Sequence, residues 1–95
     1  MSEIMATLIE KLENKLGSNL DQPVKFVVEG HPPVIADQTG VRQEDGDAVV
    51  TLTADMDTFA SILNGDVNPA MAVMAGNVKL DGDMSVAMSL NSLLA

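Results

Sequence analysis

The sequence predicts an α+β domain, built as layers of helix and sheet. Two patterns and their order carry the prediction. Near both ends apolar residues recur at three- and four-residue spacing, as an amphipathic helix requires; through the middle they alternate singly, as a strand with one buried face requires. Read in order, the segments run helix, four strands, two short helices, a strand and a final helix.

In residues 2–16, Ile4, Met5, Leu8, Ile9, Leu12 and Leu16 form one apolar stripe. Glu3 in the first turn and Lys11 and Lys15 in the last two suit the helix dipole, and Gly17 ends the helix. From Val24 the period changes to two, with Val24, Phe26 and Val28 on one face of a strand and Lys25, Val27 and Glu29 on the other. After the turn at Gly30-His31-Pro32-Pro33, residues 34–37 and 41–43 read as a hairpin joined by Gln38-Thr39-Gly40. Glu44-Asp45-Gly46-Asp47 is an exposed turn, and residues 48–54, with β-branched side chains on both faces, read as a central fourth strand.

Asp55 is placed to cap a helix whose Phe59, Ile62 and Leu63 share a face and which Gly65 closes. Asn68 followed by Pro69 opens a helix of barely two turns, stopped by Gly76. Residues 77–81 alternate Val78 and Leu80 inward against Asn77, Lys79 and Asp81, which gives a fifth strand with a solvated edge. Asp83 then caps a last helix that is apolar over more than half its circumference.

Composition removes several functions. Ninety-five residues suit one domain, residues 1–95, and 46% hydrophobic against 20% charged residues is too apolar for a disordered chain. Fourteen acidic against five basic residues give a net charge of −9, which repels phosphate backbones and anionic headgroups. Phe26 and Phe59 are the only aromatic residues, too few for a base-stacking platform, so no nucleic-acid partner is expected. The longest uninterrupted apolar run, residues 70–75, is far short of the ~20 residues that span a bilayer, so no stable membrane insertion is expected. The start lacks the basic and apolar regions of a signal peptide, which makes a cytoplasmic location the expectation.

No catalytic set stands out. Without cysteine there is no thiolate nucleophile, and the single histidine, His31, sits in a loop with no triad arrangement around it. Neither phosphate-loop pattern, G-x-G-x-x-G or G-x-x-x-x-G-K-[ST], occurs. The stretch from Asn64 superficially resembles a calcium loop, but Asn64 replaces the leading Asp, Pro69 stands where glycine must turn, and Ala75 stands where a bidentate Glu belongs. The acidic pairs around Gly46 and Gly82 read as solvated turns and a cap. The expectation is therefore no enzyme, no metal and no cofactor.

Methionine is the unusual feature: Met56, Met71, Met74, Met84 and Met88 all lie at or within the three later helices. Its flexible thioether fills irregular cores and equally lines pockets for apolar ligands of varied shape. The order of motifs around these residues resembles the sterol carrier protein family, the nonspecific lipid-transfer domain. Val50-Thr51-Leu52-Thr53-Ala54-Asp55 is similar to the family's strand leading into a helix. Asp57-Thr58-Phe59 with Ile62-Leu63-Asn64-Gly65 is similar to its aspartate, aromatic, aliphatic and terminal glycine. Asn68-Pro69-Ala70-Met71-Ala72 follows, then Gly76, Lys79, Gly82, Asp83 and the Met-rich final helix. About half the chain carries these motifs, and the first half agrees in pattern.

The resemblance implies a mixed five-stranded sheet with helices packed over it, enclosing a cavity for a fatty acyl chain, sterol-like or isoprenoid lipid. Phe59, Ile62, Leu63, Met71, Met74, Met84, Met88, Leu90 and Leu93 are the candidate cavity residues. The partner expected is an apolar small molecule, carried without covalent chemistry. The alternative is an interaction module in which Met88, Leu90 and Leu93 are covered by a second copy or by a lipid-metabolising enzyme that the chain assists.

Overall fold

A computed structural model describes residues 3–17, 20 and 22–94. The elements are α1 (Glu3–Leu16), β1 (Val24–Val28), β2 (Val34–Asp37), β3 (Gly40–Arg42), β4 (Val50–Ala54), α2 (Met56–Leu63), α3 (Pro69–Met74), β5 (Lys79–Gly82) and α4 (Met84–Leu94). The order is the one the periodicities predict. Ser2, the expected first residue of α1, lies outside the described residues.

One mixed sheet runs β3-β2-β1-β4-β5. β1 and β4 pair in parallel, and every other neighbour is antiparallel. β4 is thus interior, flanked by β1 and β5, while β1 holds the centre. The register aligns Val34, Phe26, Leu52 and Leu80 in one row and Ala36, Val24 and Val50 in the next, so all share a face. That face meets the helices: Met5, Leu8, Leu12 and Leu16 of α1 pack on it with Phe59, Ile62 and Leu63 of α2, Ala72 of α3 and Leu90 and Leu94 of α4. Phe26 and Phe59 meet edge to face, centroids 6.0 Å apart at 75°, joining the sheet to α2.

Local chemistry sets the element ends. Gly17 takes φ +56° and donates to the Glu13 carbonyl, closing α1. In the β2–β3 hairpin, the Asp37 carboxylate accepts from the Thr39 hydroxyl at 2.6 Å and amide at 2.9 Å, and Arg42 adds a two-pronged contact. These bonds, led by Arg42, hold the Asp37 carboxyl far below the usual carboxylate range. The segment returning to β4 is tied to β1 by Lys25 and Asp45, 2.7 Å apart.

Strand limits differ slightly from the sequence expectation. β3 and β4 occupy residues 40–42 and 50–54 instead of 41–43 and 48–54. β5 begins at Lys79, not Asn77, because the amides of Asn77 and Val78 both donate to the Ala72 carbonyl and finish α3. Val78 is buried as expected, but from the helix end, and β5 is the exposed edge strand. Gly82 cannot be replaced: at φ +123° a Cβ there would lie 2.3 Å from the Val49 carbonyl oxygen.

Candidate functional site

Three capped helices frame the site. Asp55 accepts from the Thr58 amide at 2.8 Å at the start of α2, and the Thr58 side chain and amide lower its pKa. Asn68 caps α3 by accepting from Ala70 at 2.9 Å, with Pro69 in the first turn. Asn91 of α4 also accepts from the Ala70 amide, at 3.0 Å, and so fastens α4 to the start of α3. Asp83 caps α4 through Ser85 and Val86, while its own amide donates to Val49 beside β4. Lys11 of α1 donates to the Asn64 side chain at 2.8 Å, fixing the end of α2.

Between these helices and the sheet lies a cavity of about 400 Å³. Phe26, Leu52 and Leu80 supply its sheet wall and Leu12 its α1 side. Phe59, Ile62 and Leu63 come from α2, and Ala70, Val73 and Met74 from α3. On α4, Met84, Ala87, Met88, Leu90 and Leu94 turn toward it. Among the described residues, Asn91 and Ser92 are the only polar ones in the lining. The volume and the apolar lining match those of small-molecule pockets, ~300–1,000 Å³. A smaller hollow of about 260 Å³ between α1 and α2 is bordered by the charged Glu3 and Lys11.

The candidate residues separate into depth classes. Phe59, Ile62, Leu63 and Leu90 are buried at the floor. Met74, Met84 and Met88 also line the cavity and are 84%, 61% and 70% exposed, which places them on its solvent side. Met71 and Leu93 do not border it. At 100° per residue, Leu93 lies about 180° round α4 from Met84 and packs against the core instead. Met71 points off the cavity-facing side of α3 and is 64% exposed. Leu12, Phe26 and Leu52 are floor residues that reading the later helices alone does not reveal. Their signal is alternation in β1 and β4 and the stripe of α1, which mark burial without saying what lies beyond it.

For an interface on α4, Leu90 is already 1% exposed and Leu93 half-buried, leaving Met88 as the open one of the three expected residues. Among the described residues, no three His, Asp or Glu side chains gather as a metal site. No helix among them is long and apolar enough to cross a membrane.

Comparison with known proteins agrees with this geometry. The SCP-2 sterol transfer family matches residues 3–95. Hydroxysteroid dehydrogenase-like protein 2 of Danio rerio is 32% identical over 66 residues, which are 70% of this chain and 13% of that protein. The chain therefore spans about an eighth of that relative's length. Sterol Carrier Protein 2 Like 2 from Aedes aegypti shares the fold with TM-score 0.80 at 21% identity, covering 94% of each chain. Sterol Carrier Protein-2 from Aedes aegypti, solved in complex with palmitate, superposes with TM-score 0.82 at 20% identity, over 100% of this chain and 97% of that one. Motif order, the five-stranded mixed sheet and a family match over almost the whole chain agree: the chain belongs to the SCP-2 sterol transfer family.

Proposed function

We propose that the chain is a non-enzymatic carrier that binds an apolar ligand, such as a fatty acyl, sterol-like or isoprenoid lipid, in the cavity between α2, α3, α4 and the sheet. One observation carries the reading: a cavity of about 400 Å³ whose lining, among the described residues, is apolar except for Asn91 and Ser92. Each methylene moved from water into it contributes ~0.8 kcal/mol, so ten contribute ~8 kcal/mol before ordering costs, enough for binding without covalent chemistry. The palmitate complex of the Aedes protein supports the same class of ligand here. In this reading residues 1–95 act as one lipid-binding unit in the cytoplasm. Phe59, Ile62, Leu63 and Leu90 hold the chain, and Met74, Met84 and Met88 guard the entrance.

The test is native mass spectrometry of the purified protein, with extraction and identification of what co-purifies, followed by thermal denaturation with added lipid. One lipid per chain is the expected result. A ligand at a hundred times its Kd stabilises the fold by ~2.7 kcal/mol. An unmoved melting temperature across saturating acyl, sterol and isoprenoid ligands would overturn the proposal.

A further inference from the structure

We infer that the α3–α4 face is a docking surface for uncharged, zwitterionic bilayers, which it touches from the water side. This goes beyond the carrier reading, because the contact needs no ligand in the cavity. The starting observation is Met71, which is 64% exposed and does not border the cavity, so a ligand held there leaves it uncovered. It stands three residues from Met74 on α3, and Met84 stands four residues from Met88 on α4, so each pair shares one side of its helix. Met74, Met84 and Met88 line one cavity, and the bond from Ala70 to Asn91 fastens the two helices together. The four thioethers therefore form one patch that extends from the mouth over α3. Among the described residues, Val67 and Ile4 are the other large apolar side chains in the open. Val67 directly precedes the Asn68 cap of α3, whereas Ile4 borders the separate α1–α2 hollow.

Charge assigns the occupant. Residues 67–78 and 84–94 contain no Asp, Glu, Lys or Arg, although the chain carries a net charge of −9. The charged residues nearest to them in sequence are Asp66, Lys79, Asp81 and Asp83, three of them acidic. An anionic membrane repels that charge, whereas a phosphatidylcholine surface carries no net charge and offers an interfacial layer in which thioethers leave water. A second copy fits less well. The patch presents five apolar side chains, Met71, Met74, Met84, Met88 and Val67, against the ~20–30 residues a side of a stable protein complex. Pairing two copies would also bring together two bodies of charge −9. Methionine adapts its shape to an irregular surface, and with no Trp or Tyr in the chain to anchor it at headgroup level the contact is shallow and reversible. A lipid leaving the cavity past Met74, Met84 and Met88 then enters the bilayer without exposing its chain to water.

The experiment sediments the delipidated protein with phosphatidylcholine vesicles and with vesicles in which a third of that lipid is replaced by phosphatidylserine. The expected result is binding to the first and severalfold weaker binding to the second at low salt, a difference that closes at about 0.5 M salt as screening shortens the reach of the charges. Met71→Asp lowers binding to phosphatidylcholine roughly tenfold, the ratio that ~1.4 kcal/mol produces. It leaves palmitate affinity unchanged, because Met71 lies outside the lining. Ile4→Ser, at the exposed apolar residue of α1, changes neither. No binding to phosphatidylcholine, equal or tighter binding to the phosphatidylserine vesicles at low salt, or a loss with Ile4→Ser and not with Met71→Asp overturns the docking face. So does a concentration-dependent dimer that Met71→Asp disperses, which would assign the patch to a second copy. The comparison of the two vesicles uses wild type and decides whatever the variants do to the fold. If wild type binds vesicles but takes up no palmitate, sterol or isoprenoid, the carrier reading fails and the docking surface stands.

Discussion

Ala87→Phe separates an empty cavity from a loosely drawn core. Ala87 stands in the first turn of α4, its amide donating to the Asp83 carbonyl, and its methyl borders the cavity. If the space beyond is open, a phenyl ring grows into it. Burying the ring gains ~1.5–3 kcal/mol, reduced by ~0.5 kcal/mol of lower helix propensity and a further ~0.5–1 kcal/mol of side-chain entropy. The net gain of ~1 kcal/mol raises Tm by ~4–8 °C for a domain of this size. The same ring excludes ligand: displacing about four methylenes at ~0.8 kcal/mol each costs ~3 kcal/mol of affinity, a loss of roughly a hundredfold. Thermal denaturation of delipidated protein and a ligand isotherm read the two effects separately. Were the region packed, the added ring would instead cost ~1–3 kcal/mol. A lower Tm with ligand affinity unchanged would refute the cavity reasoning.

Further perturbations test the parts around it. Gly82→Ala forces a Cβ to within 2.3 Å of the Val49 carbonyl oxygen at a φ of +123°, and should cost ~3 kcal/mol or more in urea denaturation by prising β5 from β4. Met88→Asp, at an exposed rim, should leave Tm within ~0.5 kcal/mol equivalent of wild type yet weaken lipid binding; wild-type affinity would remove Met88 from the entrance. Asp37 has a lowered carboxyl pKa in the fold, so its contribution is present above the unfolded value of ~3.9 and disappears as pH falls through the lower folded value. The Tm advantage of wild type over Asp37→Asn should accordingly be constant near neutrality and close only below about pH 4; an advantage independent of pH down to 2 would contradict the assignment. In hydrogen exchange, the amides of α3 should exchange faster than those of α1 and slow on lipid addition, because Ala72 is the one buried residue of this six-residue helix.

Much of the architecture was legible because it is written in short-range chemistry. The stripe at Met5, Leu8, Leu12 and Leu16 and the alternation at Val24, Phe26 and Val28 each fix an element and its buried face. Asp55, Asn68 and Asp83 mark helix starts by what an oxygen two or three residues ahead of an amide can accept. Where β5 begins was not legible, since it depends on Asn77 and Val78 donating to Ala72 instead of to β4, a competition between two partners that both look available.

The site was legible in outline but not in depth, and the reason is geometric. Apolar character at Met74, Met84 and Met88 says that water is unfavourable there, but a flexible thioether satisfies that preference equally at a wall and at a mouth. What makes a cavity is the placement of small side chains where large ones would have filled the space. Ala70 on α3 and Ala87 on α4 stand at the lining, and the bond from the Ala70 amide to Asn91 fixes the spacing of the two helices. Neither alanine draws notice in the sequence, because alanine is the commonest choice at any helical position whether or not space lies beyond it. Enlarging them tests the cavity more directly than truncating its floor, because loss of Phe26 or Phe59 destabilises a packed core and a ligand site alike.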